Sequence, residues 1–127
     1  MREIKFRAWD GWSRKMMEVE QLNFSPNIEG VNINDLPRQK HLILMQYTGL
    51  LDKNGVEIFE GDIVKEYDNF GYKVLEVYYD QDNVEFELKR DHEKGGSYHT
   101  PLYREGAAKY CEVIGNIYEN PELLNAS

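Results

Sequence analysis

The sequence has little of three features that would indicate an exported, membrane-bound or disulfide-stabilised protein. Its one cysteine, Cys111, has no second cysteine to form a disulfide within the chain, which fits a reducing compartment. Its longest unbroken apolar run extends from Leu42 to Met45, far short of the roughly 20 residues that cross a bilayer. Residues 1–9 alternate charged and apolar side chains and do not form the basic and apolar regions of a secretory signal. We therefore expect a cytoplasmic protein without a membrane partner.

Positive charge is also scarce. The 15 Lys and Arg residues against 23 Asp and Glu residues give a formal net charge of -8. Binding to nucleic acid normally requires a continuous basic face, because much of the affinity comes from Lys and Arg releasing counterions from phosphates. The basic groups around Arg2–Arg7 and Arg38–His41 are small, and we interpret them as solvated strand edges and turns. Nucleic acid is therefore not the expected partner.

The residues that usually carry chemistry are dispersed along the chain. His41, His92, His99 and Cys111 lack the close spacing of a zinc site, and we predict that Cys111, at the start of an apolar strand, is a small core residue. We expect no cofactor, no catalytic residues and no enzymatic activity. One alternative stays open, a Mg²⁺-dependent hydrolase or nucleotide-binding protein that uses carboxylates in turns. The candidate ligands are Glu60, Asp62, Asp80 and Asp82.

Short alternating segments separated by turn residues predict a mainly β fold. Glu3–Trp9 and Lys15–Glu20 flank a turn at Asp10–Ser13, and Tyr72–Tyr79 with Val84–Lys89 form a second predicted hairpin. No helical segment is long enough for a βαβ crossover, which favours a small antiparallel barrel or rolled sheet, with an SH3-like barrel as one form. We predict a single domain over 1–127, with an N-terminal hairpin (1–20), an irregular connection (21–40), a β core (41–120) and a helical turn (120–125).

Three details of this prediction concern irregular segments. The connection carries either a short strand at Val31–Ile33 or a helical turn beginning at Asn34. Tyr103–Lys109 is compatible with a short helix. Asn120 precedes proline at a predicted first helical position, which is typical of an N-cap.

The segment Tyr47–Gly55 is rich in turn residues and invites a comparison with anion-binding loops. It lacks the lysine and the following helix of a phosphate-binding loop. We interpret it structurally: the glycines supply backbone freedom, and aspartate side chains cap the turns. The glycines are Gly49, Gly55 and Gly61, and the aspartates are Asp52 and Asp62.

Three ordered motifs resemble the YopX family of small proteins from phages, prophages and plasmids. They are Arg2–Asp10, Met45–Val64 (without Leu51) and Glu112–Leu124. The resemblance implies a phage-related protein expressed in a bacterial cytoplasm, and it implies no activity. Leu51 departs from the pattern, because a polar residue is expected before Asp52. Its apolar side chain is therefore a candidate for a contact.

Aromatic residues in turns are the best candidates for contact residues. Trp12 and Phe70, with Leu51, therefore form the predicted interaction set of a non-enzymatic module that binds a host or phage protein or a second copy of itself. An alternative is an acidic mimic of nucleic acid that inhibits a host DNA-binding protein. The mimic would use Glu57, Glu60, Asp62, Glu66 and Asp68.

Overall fold

The computed structural model describes residues 3–24, 31–34, 41–91, 97–102 and 107–125. The fold is mostly β, its strands form antiparallel sheets, and one sheet is curled into half a barrel. This confirms the predicted fold class. The described ranges contain no helix that is both long enough and apolar enough to span a membrane. The chain divides into two compact units, Met1–Gln46 and Tyr47–Ser127.

The first unit is built on the predicted N-terminal hairpin. Its strands pair antiparallel from Arg7 opposite Glu18 to Asp10 opposite Lys15. On its other side, the first strand pairs with residues 42–46 of the long strand β5 (Leu42–Leu51). Within the predicted irregular connection two short strands pair with each other, so the strand predicted at Val31–Ile33 is confirmed. The strands are β1 (Phe6–Asp10), β2 (Lys15–Glu18), β3 (Leu22–Phe24), β4 (Val31–Ile33) and β5 (Leu42–Leu51).

A small core holds this unit together. Ala8 and Leu42 are buried, and partly buried apolar side chains from the hairpin pack against them, including Met17 and Val19. Ile4 lies in the predicted strand Glu3–Trp9 but precedes β1 and is exposed. The side chain of Asn34 accepts hydrogen bonds from the N–H groups of Glu20 (2.7 Å) and Gln21 (3.1 Å). This asparagine therefore ties the end of β4 to the chain that leaves β2. Residues 35–40, which would continue the alternative helical turn beginning at Asn34, lie outside the described residues.

The second unit contains a five-stranded antiparallel sheet. In spatial order its strands are β10 (Ser97–Pro101), β9 (Glu85–Asp91), β8 (Gly71–Asp80), β7 (Asp62–Asp68) and β11 (Cys111–Asn116). The predicted hairpin of β8 and β9 is confirmed, with Asp80 opposite Glu85. Val84 was predicted to begin the second strand but lies in the turn with a positive φ of 56°. Residues 47–51 of β5 pair with β6. The strands are β6 (Glu57–Phe59), β7 (Asp62–Asp68), β8 (Gly71–Asp80), β9 (Glu85–Asp91), β10 (Ser97–Pro101) and β11 (Cys111–Asn116).

One face of the five-stranded sheet forms the main core. Successive residues of a strand point to opposite faces, so cross-strand partners such as Val64 with Leu75 and Val77 with Leu88 bury the same face. The other face carries polar and aromatic side chains, including Tyr67 opposite Tyr72 and Tyr78 opposite Glu87. The buried members of the core are Ile58, Val64, Leu75, Val77, Leu88, Leu102, Ala108 and Cys111.

Two short 3₁₀-helices complete the second unit, at Ala107–Tyr110 and Pro121–Leu124. The second confirms the predicted C-terminal helical turn with proline at its start. Asn120 does not cap it as predicted, because its side chain accepts a hydrogen bond from the Asn116 N–H (3.2 Å) instead. The first covers the end of the helix predicted at Tyr103–Lys109, of which residues 103–106 lie outside the described ranges.

Candidate functional site

Asp52 gives the turn-rich segment Tyr47–Gly55 a structural role. Its Oδ1 atom accepts the N–H groups of Asn54 (2.8 Å) and Val56 (2.9 Å), and its Oδ2 atom accepts the N–H of Val113 in β11 (2.9 Å). The residue is only 6% exposed. Burial raises the pKa of Asp52, but the three backbone N–H groups outweigh it, and the pKa lies below its ordinary value of 3.8. The carboxylate therefore closes the turn and joins it to the sheet.

The glycines of this region take the backbone conformations predicted for them. Gly49, Gly55 and Gly61 have φ values of 86°, 81° and 87°, a region that L side chains seldom adopt. Asp62 is buried, and its Oδ2 atom accepts the N–H of Phe59 (2.7 Å). The predicted caps by Asp52 and Asp62 are thus present.

The carboxylates considered for magnesium lie in two different turns. Glu60 and Asp62 flank the turn before β7, whereas Asp80 and Asp82 belong to the β8–β9 turn. Burial raises the pKa of Asp80, but N–H groups of Asp82 and Asn83 outweigh it and leave the pKa below its ordinary value. Over the described ranges, no group of three or more His, Cys, Asp or Glu residues has a geometry that could hold a metal ion. Because Asp62 is buried, it also adds nothing to the exposed acidic set considered for mimicry of nucleic acid.

Phe70 stands at the tip of the β7–β8 hairpin and is 99% exposed. Its backbone N–H donates to Asp68 Oδ1 (2.7 Å), and Gly71 follows with a φ of 135°. The turn is therefore held by a local hydrogen bond although the side chain has no cover from the described chain.

Tyrosines and lysines surround the base of this tip. Tyr67 and Tyr72 are cross-strand partners with ring centroids 5.9 Å apart. Lys53 Nζ lies 4.4 Å from the Tyr67 ring centroid, and Lys65 Nζ lies 4.5 Å from that of Tyr72. These are distances at which an ammonium group is attracted by the aromatic face. We call Tyr67, Phe70, Tyr72, Lys53 and Lys65 the aromatic tip.

Glu112 anchors one tyrosine of the aromatic tip. Its Oε1 atom accepts the phenolic O–H of Tyr67 (3.2 Å), and its Oε2 atom accepts a hydrogen bond from Asn54 Nδ2 (3.4 Å). Burial, followed by this hydrogen bond and the Glu112 charge, raises the pKa of Tyr67 above its ordinary value of 10.0. Tyr67 is therefore a neutral hydrogen-bond donor at physiological pH.

The other two predicted contact residues have different surroundings. Trp12 lies in the first unit and is 75% exposed, but its ring stacks on His41 with centroids 3.6 Å apart and an interplanar angle of 9°. Asp10 Oδ1 accepts the Trp12 N–H (2.9 Å), which is the largest cause that lowers the pKa of Asp10. Leu51 ends β5 opposite Glu57 and is 49% exposed, so its apolar side chain is partly available.

A polar cluster on the outer face of the sheet was not predicted from the sequence. Tyr78 Oη lies 2.6 Å from Glu87 Oε1 and 2.7 Å from His99 Nδ1. Lys89 Nζ lies 4.6 Å from the centroid of the Tyr78 ring. The three strands β8, β9 and β10 each supply part of the cluster, and the sequence signal that could have located it is the pairing register of these strands.

A small cleft adjoins this cluster through Lys89. It has a volume of about 210 Å³ and lies where the second 3₁₀-helix meets β8 and β9. Ligand pockets usually enclose about 300 to 1,000 Å³, so the cleft is smaller than a typical small-molecule site. Its lining residues are Glu76, Lys89, Arg90, Leu124 and Asn125.

Cys111 is a core residue, as predicted. It is fully buried, and its thiol lies 3.3 Å from the carbonyl oxygen of Ala107, to which it donates. Burial, with smaller effects of Glu66 and Asp52, raises the pKa of Cys111 to about 12. Nucleophilic chemistry needs the thiolate, and a thiol with so high a pKa is almost entirely protonated at physiological pH.

We expect Cys111 to react with a thiol reagent such as dithionitrobenzoate at pH 8 at least about 100-fold more slowly in the native protein than in guanidinium. The measurement is the rate at which absorbance increases in native buffer and in guanidinium, at the same protein concentration. Native labelling as fast as labelling of the unfolded chain would contradict this placement of the thiol.

The comparisons with known proteins give one family and two similar crystal structures. The YopX protein family matches residues 5–125. The crystal structure of protein EF1440 from Enterococcus faecalis is similar at 28% identity, with a TM-score of 0.59, over 98% of this chain and 99% of the other. The crystal structure of protein yopX from Bacillus subtilis shares the fold at 24% identity, with a TM-score of 0.63, over 100% of this chain and 99% of the other. No curated protein matches. The chain therefore belongs to the YopX family.

Proposed function

We propose that this chain is a phage- or prophage-encoded accessory protein that acts in the cytoplasm of a bacterial host as a non-enzymatic interaction module. Its partner is a protein that binds the aromatic tip. The observation that carries the proposal is the position of Phe70, which is 99% exposed on a turn held by Asp68.

Phe70 has the properties of an anchor residue. An aromatic side chain that enters a pocket on a partner gains about 1.5 to 3 kcal/mol from burial. Because Asp68 already fixes the turn, little backbone freedom is lost on binding, and this favours affinity. Tyr72, which is also exposed, extends the apolar area beside it.

The charges around Phe70 favour a partner with acidic groups. Lys53 and Lys65 lie over the tyrosine rings, and the nearby Glu112 and Asp68 are already engaged by Tyr67 and Lys73. A second copy joined symmetrically through the same surface would bring two more lysines and no additional carboxylate partner for them from the aromatic tip. An apolar pocket rimmed by Asp or Glu would instead pair with them. We therefore assign the aromatic tip to a different protein with such a pocket.

The cellular setting is supported by the relatives and the composition. Both similar structures come from bacteria, and the one cysteine is buried and free. The small cleft and the dispersed carboxylates favour recognition over catalysis in the described part of the chain.

The test begins with Phe70→p-benzoylphenylalanine in the host, followed by irradiation and identification of the crosslinked protein. The partner is then purified, and its affinity is measured by calorimetry against the wild type and Phe70→Ala. We expect Phe70→Ala to weaken binding about 30-fold or more, the range of an anchor residue. Val84→Ala removes another exposed apolar side chain, at the β8–β9 turn, and should change the affinity less than about threefold.

Two results would overturn the proposal. One is a purified partner that binds the wild type and Phe70→Ala equally. The other is crosslinking only to a second copy, together with a dimer in light scattering that Phe70→Ala converts to a monomer, which would assign the tip to self-association.

A further inference from the structure

Asn54 and Gly55 are exposed in the turn between β5 and β6. Asparagine loses its side-chain amide most readily when glycine follows it, because glycine has no side chain to hinder attack by its own backbone nitrogen. The space around Gly55 is open, since no atom lies within 4 Å of a Cβ atom built there. The turn therefore contains both partners of an intramolecular reaction and gives water access to them.

The reaction needs only water as a co-reactant. The Gly55 nitrogen gives its proton to water or hydroxide and attacks Asn54 Cγ, so that a C–N bond forms and the bond from Cγ to Nδ2 breaks as ammonia leaves. Water then adds to either carbonyl of the cyclic imide and opens the ring to aspartate or isoaspartate. In total one water is consumed and one ammonia is released, and a neutral amide becomes a carboxylate.

The closed turn restrains both reacting groups. The Gly55 N–H donates to the carbonyl oxygen of Asp52 (3.1 Å), and the Asn54 N–H donates to Asp52 Oδ1 (2.8 Å). The Asn54 side chain is held as well, because its Nδ2 atom donates to Glu112 Oε2 in β11 (3.4 Å). A nitrogen whose proton is hydrogen-bonded is a poor nucleophile, and a side chain bound to β11 is not free to turn toward the backbone. The reaction therefore requires local opening of the turn.

We infer that Asn54 is a site of spontaneous deamidation and that the turn closed by Asp52 sets its rate. The product changes the base of the aromatic tip, because a carboxylate at position 54 has no proton to donate to Glu112 and repels it. Glu112 also accepts the phenolic O–H of Tyr67 (3.2 Å). Each modified molecule thus carries an added negative charge beside the carboxylate that anchors Tyr67. The site rests on the chemistry of the turn and not on the proposed function.

Incubation of the full chain in ¹⁸O-labelled water, followed by peptide mapping with tandem mass spectrometry, tests the site. The same incubation in guanidinium gives the rate of the unrestrained reaction. We expect the folded wild type to take up label at Asn54 about 10- to 1,000-fold more slowly than the unfolded chain, as local opening of a loop allows. Asp52→Asn weakens the closure of the turn and should speed labelling of Asn54 in the folded protein at least about threefold.

Asn83 is the matched control within the same molecule. It is exposed in the β8–β9 turn and its Nδ2 atom donates to Asp80 Oδ2 (2.9 Å), but Val84 follows it in place of glycine. It should remain unlabelled over the time in which half of Asn54 is modified.

Three results would overturn the inference. Labelling of Asn54 no faster than that of Asn83 would exclude the site. Labelling in the folded wild type more than about 1,000-fold slower than in the unfolded chain would mean that only global unfolding permits the reaction. Equal rates in folded wild type and Asp52→Asn, or in folded and unfolded wild type, would show that the turn does not set the rate.

Discussion

Replacement of Asp52 by alanine is expected to lower the free energy of unfolding by about 4 kcal/mol. The variant would leave three backbone N–H groups, those of Asn54, Val56 and Val113, without their charged acceptor. A donor left unpaired in a buried position costs about 1 to 3 kcal/mol, and hydrogen bonds to charged groups are stronger than average. Thermal and urea unfolding measured by circular dichroism provide the value.

Asp52→Asn separates charge from shape. The amide can keep an oxygen toward Asn54 and Val56, but its NH₂ group then meets the N–H of Val113, so we expect a loss of about 2 kcal/mol. The pKa of Asp52 is lowered by folding, so its stabilising effect is complete above the ordinary value of 3.8 and is lost as the pH falls through the lower folded value. The difference between the wild type and Asp52→Asn should therefore be constant near neutrality and shrink in acid below pH 3.8.

Asp82→Asn is the matched control, since Asp82 is an exposed aspartate in a turn. It should change the free energy of unfolding by less than about 0.5 kcal/mol at neutral pH. An effect of Asp52→Ala as small as that of the control would show that the loop is not held by this carboxylate.

Gly115→Ala should destabilise the protein by about 1 to 3 kcal/mol. A Cβ atom at this position would lie 2.5 Å from Asn120 Oδ1 and 2.8 Å from Asn120 Cγ. Asn120 cannot move away without loss, because Oδ1 accepts the N–H of Asn116 (3.2 Å). Strand β11 and the turn that follows it are therefore packed too closely for any side chain at position 115.

A double-mutant cycle isolates this close approach. Asn120→Gly removes the atoms that the added methyl group would meet, so Gly115→Ala should cost about 1 to 2 kcal/mol less in that background. The four proteins are compared by urea unfolding at one temperature. Additive effects of the two substitutions would mean that the cost of alanine arises elsewhere.

Gly55→Ala differs in mechanism, because its φ of 81° is unfavourable although no atom lies within 4 Å of the added Cβ.

The short-range features of the fold followed from local chemistry. Asp52 and Gly55 act within a few residues of their own position, so turn patterns predicted their roles, and the strand at Val31–Ile33 was one of the two predicted alternatives. The bond from Val113 to Asp52 joins residues 61 positions apart, and no local pattern could indicate it. It depends on the sheet that brings β11 to the loop.

The turns that carry the predicted contact residues Trp12 and Phe70 are present in the structure, but the sequence did not show which of these side chains is covered. Phe70 and Trp12 both follow an aspartate whose side chain accepts a nearby backbone N–H. Only tertiary structure places the His41 ring against Trp12 and leaves Phe70 exposed. A flat aromatic contact depends on the chain segment that carries His41 and not on the composition of the turn.

The Glu87 cluster was missed because of strand register. A turn at Asp80–Asn83 would have placed Tyr79 opposite Val84, whereas the observed turn pairs Asp80 with Glu85 and thus Tyr78 with Glu87. The expected turn would pair Tyr78 with Glu85, so the observed register differs by two residues and gives each side chain a different cross-strand partner. The turn extends to Val84 in spite of its β-branched side chain and positive φ.

The mainly β class, the hairpins and the turn caps could be predicted from the sequence, because they depend on side-chain period, on the φ preferences of glycine and on hydrogen bonds between near neighbours. The family was indicated by the resemblance of three ordered motifs. The tertiary structure decided which aromatic side chains are exposed, that Asp52 reaches β11, and that Glu87, Tyr78 and His99 meet. These depend on strand order and register, which are set by the burial of a whole sheet face and not by any single segment.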